Sequence, residues 1–387
     1  MSAPNIPNLK TLLGTRRGGS GRGRGRGRGL PESPQASSEA VRDEAVRGTD
    51  QDAAGSRVSC VQLGYLHDPY ASCFATQQST RRLPLLNRGT YVRTSAIDSL
   101  VRKFIETSPE QPKQIVSLGA GTDTRYFRLR DYYPDAKLIY HEIDFPTNTA
   151  SKLNSINRHA PLHAKLIPNA PPTNPLSLPP GATSYYSPTY NLHALDLRNL
   201  TCATFSSSAT NLPNLDPNVP TILLSEMCLC YLEPTTASLI IGTLLSTYFS
   251  PATPVALIMY EPILPNDPFG RTMISNLASR NIRLPTLTTY LTLEHQRLRL
   301  DSEGFVDGCR AADVNFIWKK WVPEEEKERV AALEMLDELE ELELLLKHYC
   351  VTWGWRNGSG EGTQESAANK VFKRAWEDMV EQDDRQT

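Results

Sequence analysis

The stretch Gln114–Leu129, QIVSLGAGTDTRYFRL, decides the fold. Ile115 to Leu118 is a short β-type run that stops at Gly119, and a helix-compatible segment follows. Glycines at 119 and 121 let the backbone come close to a ligand and leave amides pointing away from the strand. Ligands of open α/β sheets sit beyond the carboxyl ends of the strands, so this turn is a candidate binding loop. It is not a dinucleotide fingerprint, because Thr124 holds the third glycine position. Nor is it a P-loop, since no Gly-Lys-Ser/Thr follows.

Downstream, strand-like runs recur at Leu138–Pro146, Tyr190–Leu197, Thr221–Leu232 and Val255–Glu261. Helical patterns at Ala237–Phe249 and Phe269–Asn281 alternate with them. Such alternation predicts an α/β fold: a mostly parallel sheet with helices on both faces. Upstream, Leu86–Ser108 carries helical spacing in its second half, and Val61–Gln77 suits a buried helical lid. The Glu- and Leu-rich segment Glu324–His348 predicts one continuous helix with a solvated charged face.

Polar residues interrupt these strands near their carboxyl ends. Glu142 and Asp144 flank Ile143 and so point to opposite faces. An acid about twenty residues past the glycine turn suits the two hydroxyls of a ribose, in NAD-binding and adenosylmethionine-binding sheets alike. Asp196-Leu197 follows the third strand. Glu226 breaks an apolar run, which is costly for a carboxylate unless it is paired or functional. Arg93 precedes the glycine loop and could hold a carboxylate through a bidentate fork.

The rest of the chain sets limits. A net charge of −2 over 387 residues argues for no global attraction to nucleic acid or membrane. No apolar run reaches the roughly 18 residues of a membrane span, and the N-terminus lacks a secretory signal. Seven cysteines form no CxxC pair, so no metal site is expected, and their odd number fits reduced thiols in the cytoplasm or nucleus. Cys228 and Cys230 should share one face of a strand. Residues 1–50 read as a disordered Gly/Arg-rich arm around RRGGSGRGRGRGRG (Arg16–Gly29), at most a weak electrostatic tether for RNA or acidic partners. The folded body spans 51–356 with a Pro-rich loop at 160–190, and 357–387 form a polar tail.

Taken in order, LGYLHDPYA, LNRGTYVR, IVSLGAGTDTRYFRL, HEIDFP, ALDLRNL, LLSEMCLCYL, YEPILPNDPFGRTMISNL and MLDELEELELLLKHYCVTWGW resemble the leucine carboxyl methyltransferases. The resemblance runs from about Val46 to Trp355. It implies a Rossmann-like class I methyltransferase using S-adenosyl-L-methionine. The implied reaction is methyl esterification of the C-terminal leucine of the protein phosphatase 2A catalytic subunit, which regulates phosphatase holoenzyme assembly. By position, Arg93 is similar to the arginine that clamps the methionine carboxylate, and Gly119 meets the cofactor backbone-first. Asp144, rather than Glu142, matches the ribose acid; Asp196 and Leu197 match the residues beside the adenine. Glu226 matches the acid near the methionyl amino group. Tyr231 and Arg57 are the candidates for orienting the target carboxylate. Arg57 stands where the family often has Lys, and Phe127 replaces a tryptophan.

Three other readings remain open at this level. A tRNA-modifying relative shares the module but carries a β-propeller, of which no repeat is visible here. A member of the same fold could methylate small carboxylic acids. A degenerate fold could serve as a non-catalytic phosphatase-binding scaffold, which would gain no stability from the cofactor.

Overall fold

The protein, in a computed structural model, is described for residues 34–75, 80–166, 176, 178–201, 212–358 and 370–383. Strand β1 (Lys113–Leu118) lies inside an eight-stranded sheet. On one side it pairs in parallel with β2 (Leu138–Asp144). The short β3 (Tyr185–Tyr186) then forms an antiparallel edge on β4 (Tyr190–Ala194), which pairs in parallel with β2. The chain next returns to the other side of β1 with β5 (Thr221–Glu226) and β6 (Val255–Pro262), both parallel. Two further strands finish the sheet antiparallel: β7 (Gly308–Asp313) at the edge and β8 (Tyr349–Arg356) between it and β6. The order reverses at β1, so a crevice opens between β1 and β5 beyond their carboxyl ends.

The inner strands are apolar throughout because both faces are covered. Ile115, Ile222, Leu224 and Ile258 enter the core on one face. Val116, Leu223, Leu257 and Met259, one residue out of step, enter the core on the other. Several helices start on proline, at Pro84, Pro146, Pro234 and Pro268, where the missing N–H costs nothing. Helix α1 (Pro34–Gln62) and helix α2 (Pro84–Glu106) line the cleft beyond the carboxyl end of the sheet, and α3 (Arg125–Tyr132) follows the glycine turn. The segment expected to form the helical lid, Val61–Gln77, is helical only at Val61–Gln62 and Ala71–Phe74, and 76–79 lie outside the described residues.

Several boundaries differ from the sequence reading. The arm expected to be disordered to residue 50 is helical from Pro34 onward, while residues 1–33, with their Gly-Arg repeat, lie outside the described residues. The reason is tertiary. The helix has no marked apolar stripe, and polar tethers hold it: Arg198 bonds Glu39 at 3.0 Å and Asp43 at 2.6 Å. In the loop expected at 160–190, Ala160–Leu166 is helical and Tyr185–Tyr186 is strand; 167–175 and 177 lie outside the description.

The helix expected over Glu324–His348 is broken into Glu324–Leu333 and Leu339–Lys347. Glu334 turns inward at the break, 6% exposed, and accepts from Arg81 Nε at 2.9 Å and Asn87 Nδ2 at 2.8 Å. Cys228 and Cys230 do not lie on a strand. Met227 adopts a left-handed φ of 54°, and Leu229–Tyr231 coil into a 3-10 turn.

The polar tail is also partly core. Beyond residues 359–369, which lie outside the description, Val371–Ala375 is helical. Phe372 stacks on Phe104 at 4.9 Å. Trp376 is fully buried, and its indole N–H donates to the Leu100 carbonyl at 3.0 Å. We expect Trp376→Ala to destabilise the protein by about 3–5 kcal/mol, because it empties a closed site and orphans a carbonyl. Urea unfolding checks this; a midpoint equal to that of the unaltered protein would assign the tail to the surface.

Candidate functional site

The turn after β1 works only with glycine. Gly119 has φ 63°, and a Cβ there would lie 2.5 Å from Cys228 Sγ. Gly121 has φ 47°, and its Cβ would lie 2.3 Å from Asp50 Oδ1. The turn amides are already committed. Gly119 N donates to Ile143 O at 2.8 Å, and Gly121 N donates to Asp144 Oδ2 at 2.7 Å. Thr122 N and Thr122 Oγ1 both donate to Asp50 Oδ1 at 2.7 Å. A pyrophosphate needs free amides and no adjacent negative charge. Two carboxylates clasp this turn instead, so it rejects a dinucleotide and tolerates a cationic ligand.

Asp144 ends β2. Burial pushes its carboxyl up to about 6, against the amides of Gly121 and Phe145 that favour the ion. Glu142 points to the other face and does not line the cleft. It is fully buried against Lys152 and accepts from Tyr190 Oη at 2.8 Å, and burial pushes it up to about 7. The alternation read from the sequence therefore separates a cleft acid from a structural one.

Glu226 ends β5. It accepts from Arg93 Nε at 2.5 Å and from Arg125 Nη2 at 3.1 Å. Burial alone would raise its carboxyl; the guanidiniums of Arg93, Arg125 and Arg57 outweigh that and hold it at about 2. Arg93 also lies 4.6 Å over the Tyr260 ring, which stacks on Tyr349 at 5.5 Å and 5°. Arg125, with no exposed side-chain surface, is neutralised further by Asp98 at 2.8 Å and by Asp123.

Arg57 lies 3.6 Å from Asp68 and 4.0 Å from Asp123, yet its buried Nη1 makes no hydrogen bond. Burial raises the Tyr231 hydroxyl well above its ordinary range. Asp196 accepts from Arg198 Nη2 at 2.6 Å, and Leu197 is buried beside it. The rings and charges meet at Phe145, with the guanidiniums of Arg47 and Arg198 5.6 and 5.8 Å from its centroid.

Arg57, Arg93, Gly119, Asp144, Asp196, Leu197, Glu226 and Tyr231, scattered over the sequence, all line one cleft of about 400 Å³. The sequence reading missed Arg47, Thr49 and Asp50, which line it from α1, and Leu345 and Tyr349, which close its far side. Their signal was weak: the first group sat in a stretch too polar to suggest burial. Among the described residues no cluster of His, Cys, Asp and Glu could hold a metal ion, and no helix is long and apolar enough to cross a membrane.

A neighbouring arginine and glutamate in one wall are the complement of an α-amino acid, whose carboxylate and ammonium carry the opposite charges. With a turn that refuses pyrophosphate and an acid at the end of β2, the cleft suits a nucleoside joined to an amino acid. S-adenosylmethionine is that molecule, and the fold and site define a class I S-adenosylmethionine-dependent methyltransferase.

The comparisons narrow the class. Residues 45–245 match the family model described as leucine carboxyl methyltransferase. The chain is 50% identical to leucine carboxyl methyltransferase 1 of Aspergillus fumigatus, over 94% of this chain and 96% of that one. It is 49% identical to the Emericella nidulans protein of the same name, over 93% and 96%. An N-methyltransferase of Haemonchus contortus, solved with S-adenosylhomocysteine, superposes with a TM-score of 0.39 at 11% identity over 76% of this chain and 57% of that one. This chain belongs to the leucine carboxyl methyltransferase family.

Gly119→Ala is expected to cost about 2–4 kcal/mol, since it adds left-handed strain and overpacks Cys228. It should also abolish the thermal stabilisation given by S-adenosylhomocysteine. A variant that keeps both melting temperature and ligand shift would show that the turn relaxes freely.

Proposed function

We propose that this protein esterifies the C-terminal leucine carboxylate of the protein phosphatase 2A catalytic subunit, and so regulates assembly of the phosphatase holoenzyme. The observation that carries the reading is Arg57: a guanidinium in the cleft wall whose Nη1, 3.6 Å from Asp68, makes no hydrogen bond. A substrate carboxylate supplies an acceptor. Family membership supports leucine as the residue that bears it.

When bound, S-adenosylmethionine supplies a methyl carbon activated by its sulfonium. The chain supplies position. Arg93 would hold the methionine carboxylate and Glu226 the ammonium. Asp144 would accept from the ribose hydroxyls, Asp196 and Leu197 would flank the adenine, and Gly119 would let the backbone approach. Arg57 and Tyr231 would orient the incoming carboxylate toward the methyl group. That carboxylate is ionised at neutral pH, so no general base is required. Rate then comes from alignment of oxygen, carbon and sulfur, and from exclusion of water around charges that cancel during transfer.

The direct test uses labelled S-adenosylmethionine and the phosphatase catalytic subunit, intact or lacking its last leucine. Base-labile label should appear on the intact subunit alone. Label on neither, with cofactor binding retained, would discard this substrate.

The Asp144 carboxyl gives a second expectation. Its ionised form is the one that accepts both ribose hydrogens, and burial pushes the carboxyl up to about 6. Calorimetric affinity for S-adenosylhomocysteine should therefore fall up to about tenfold from pH 7.5 to pH 5, and recover as pH rises through 6. An affinity flat across that range would remove Asp144 from the ribose.

A further inference from the structure

Asp50 belongs to neither the sheet nor its crossovers. It sits on α1, lines the cleft, and gives one carboxylate oxygen to both the amide and the hydroxyl of Thr122, each at 2.7 Å. The next amide back, Gly121 N, goes to Asp144. Two acids from different layers thus hold successive amides of one turn. Space reinforces the contact: a Cβ on Gly121 would lie 2.3 Å from Asp50 Oδ1, so the absence of that side chain lets Asp50 reach the turn. Burial raises the Asp50 carboxyl, and the bonds from Thr122 lead the influences that favour its ion, ahead of Lys152 and Gln51.

We propose that Asp50 is a positioning residue for the methyl donor. By fixing Thr122, it holds the Gly119–Asp123 turn in its left-handed shape and frees Asp144 from having to brace the turn alone. Asp144 otherwise faces two tasks, since its oxygens already take Gly121 N at 2.7 Å, Phe145 N at 2.7 Å and Asn148 Nδ2 at 3.0 Å. A donor hydroxyl competes for the same oxygens, and the turn keeps its shape through that competition only if a second acceptor restrains it. Asp50 also joins the turn to α1, so the wall that α1 gives the cleft and the donor turn share one hydrogen-bonded contact. This inference rests on the S-adenosylmethionine reading of the cleft and names no residue that touches the reacting atoms.

The test compares Asp50→Ala, Asp50→Asn and Thr122→Val in the full chain, by calorimetry with S-adenosylhomocysteine and by steady-state assay on the phosphatase subunit. Asp50→Ala should weaken S-adenosylhomocysteine about tenfold and raise KM for S-adenosylmethionine in step, with KM for the protein substrate and kcat within about twofold. Asp50→Asn keeps the accepting oxygen and should recover to within about threefold. Thr122→Val leaves the amide bond but removes the hydroxyl, and should cost about threefold. It also stands as the test if Asp50→Ala does not fold. Unchanged affinity in Asp50→Ala or Thr122→Val, or equal impairment of Asp50→Ala and Asp50→Asn, would overturn the proposal. A general folding defect would lower the melting temperature without confining the loss to the donor. Failure of the unaltered protein to bind S-adenosylhomocysteine would instead overturn the reading of the cleft itself.

Discussion

A carboxylate at the end of a buried strand is the constraint around which this molecule is arranged. Glu226 could not remain ionised at the top of β5 without Arg93 from α2 and Arg125 from α3. Arg125, itself without exposed surface, then requires Asp98 and Asp123, and Arg128 shares Asp98. Each charge is tolerable only because its partner comes from another element. Truncating one partner of such a buried pair typically costs about 3–5 kcal/mol, because the other charge is left alone. The network therefore sets where α2 and α3 sit relative to the sheet. In doing so it places Arg93 and Glu226 side by side in the cleft wall.

The lid is held by different means. Helix α1 is fastened over the cleft by Arg198 to Glu39 and Asp43, by Asp50 to Thr122 and by Arg280 to Asp52. Several of these partners are partly exposed, where a single ion pair contributes about 0–1 kcal/mol. Only toward its end does α1 bury apolar groups, at Ala54, Val58 and Cys60. The site thus combines a deeply fixed floor with a lightly held roof.

Much of this was legible in one dimension because it obeys short-range rules. The apolar runs after Gln114, at Leu138 and at Val255 announce inner strands, since a strand buried on both faces has no polar alternation to hide it. Gly119 and the alternation of Glu142 with Asp144 are likewise local: a left-handed turn and a period of two need no knowledge of the rest of the chain. The antiparallel pair β7 and β8 was not legible. GCRAAD has little strand character, and Gly308 is there so that the Trp355 ring can lie across it; a Cβ would come 2.2 Å from that ring. Glu334 misled in the same way, as a strong helix former whose buried partners Arg81 and Asn87 are distant in sequence.

By itself, then, the sequence determined the α/β class, the glycine turn, and which acids could end the strands, because backbone sterics and periodicity act over a few residues. The family resemblance preferred Asp144 to Glu142, and the tertiary structure supplies the reason: Asp144 lines the cleft while Glu142 is buried against Lys152. The tertiary structure alone decided that a polar N-terminal segment becomes a roof and that part of a polar tail becomes core. The physical reason is common to all three. Whether a charged or polar residue is buried depends on the partner it meets, and those partners come from far along the chain.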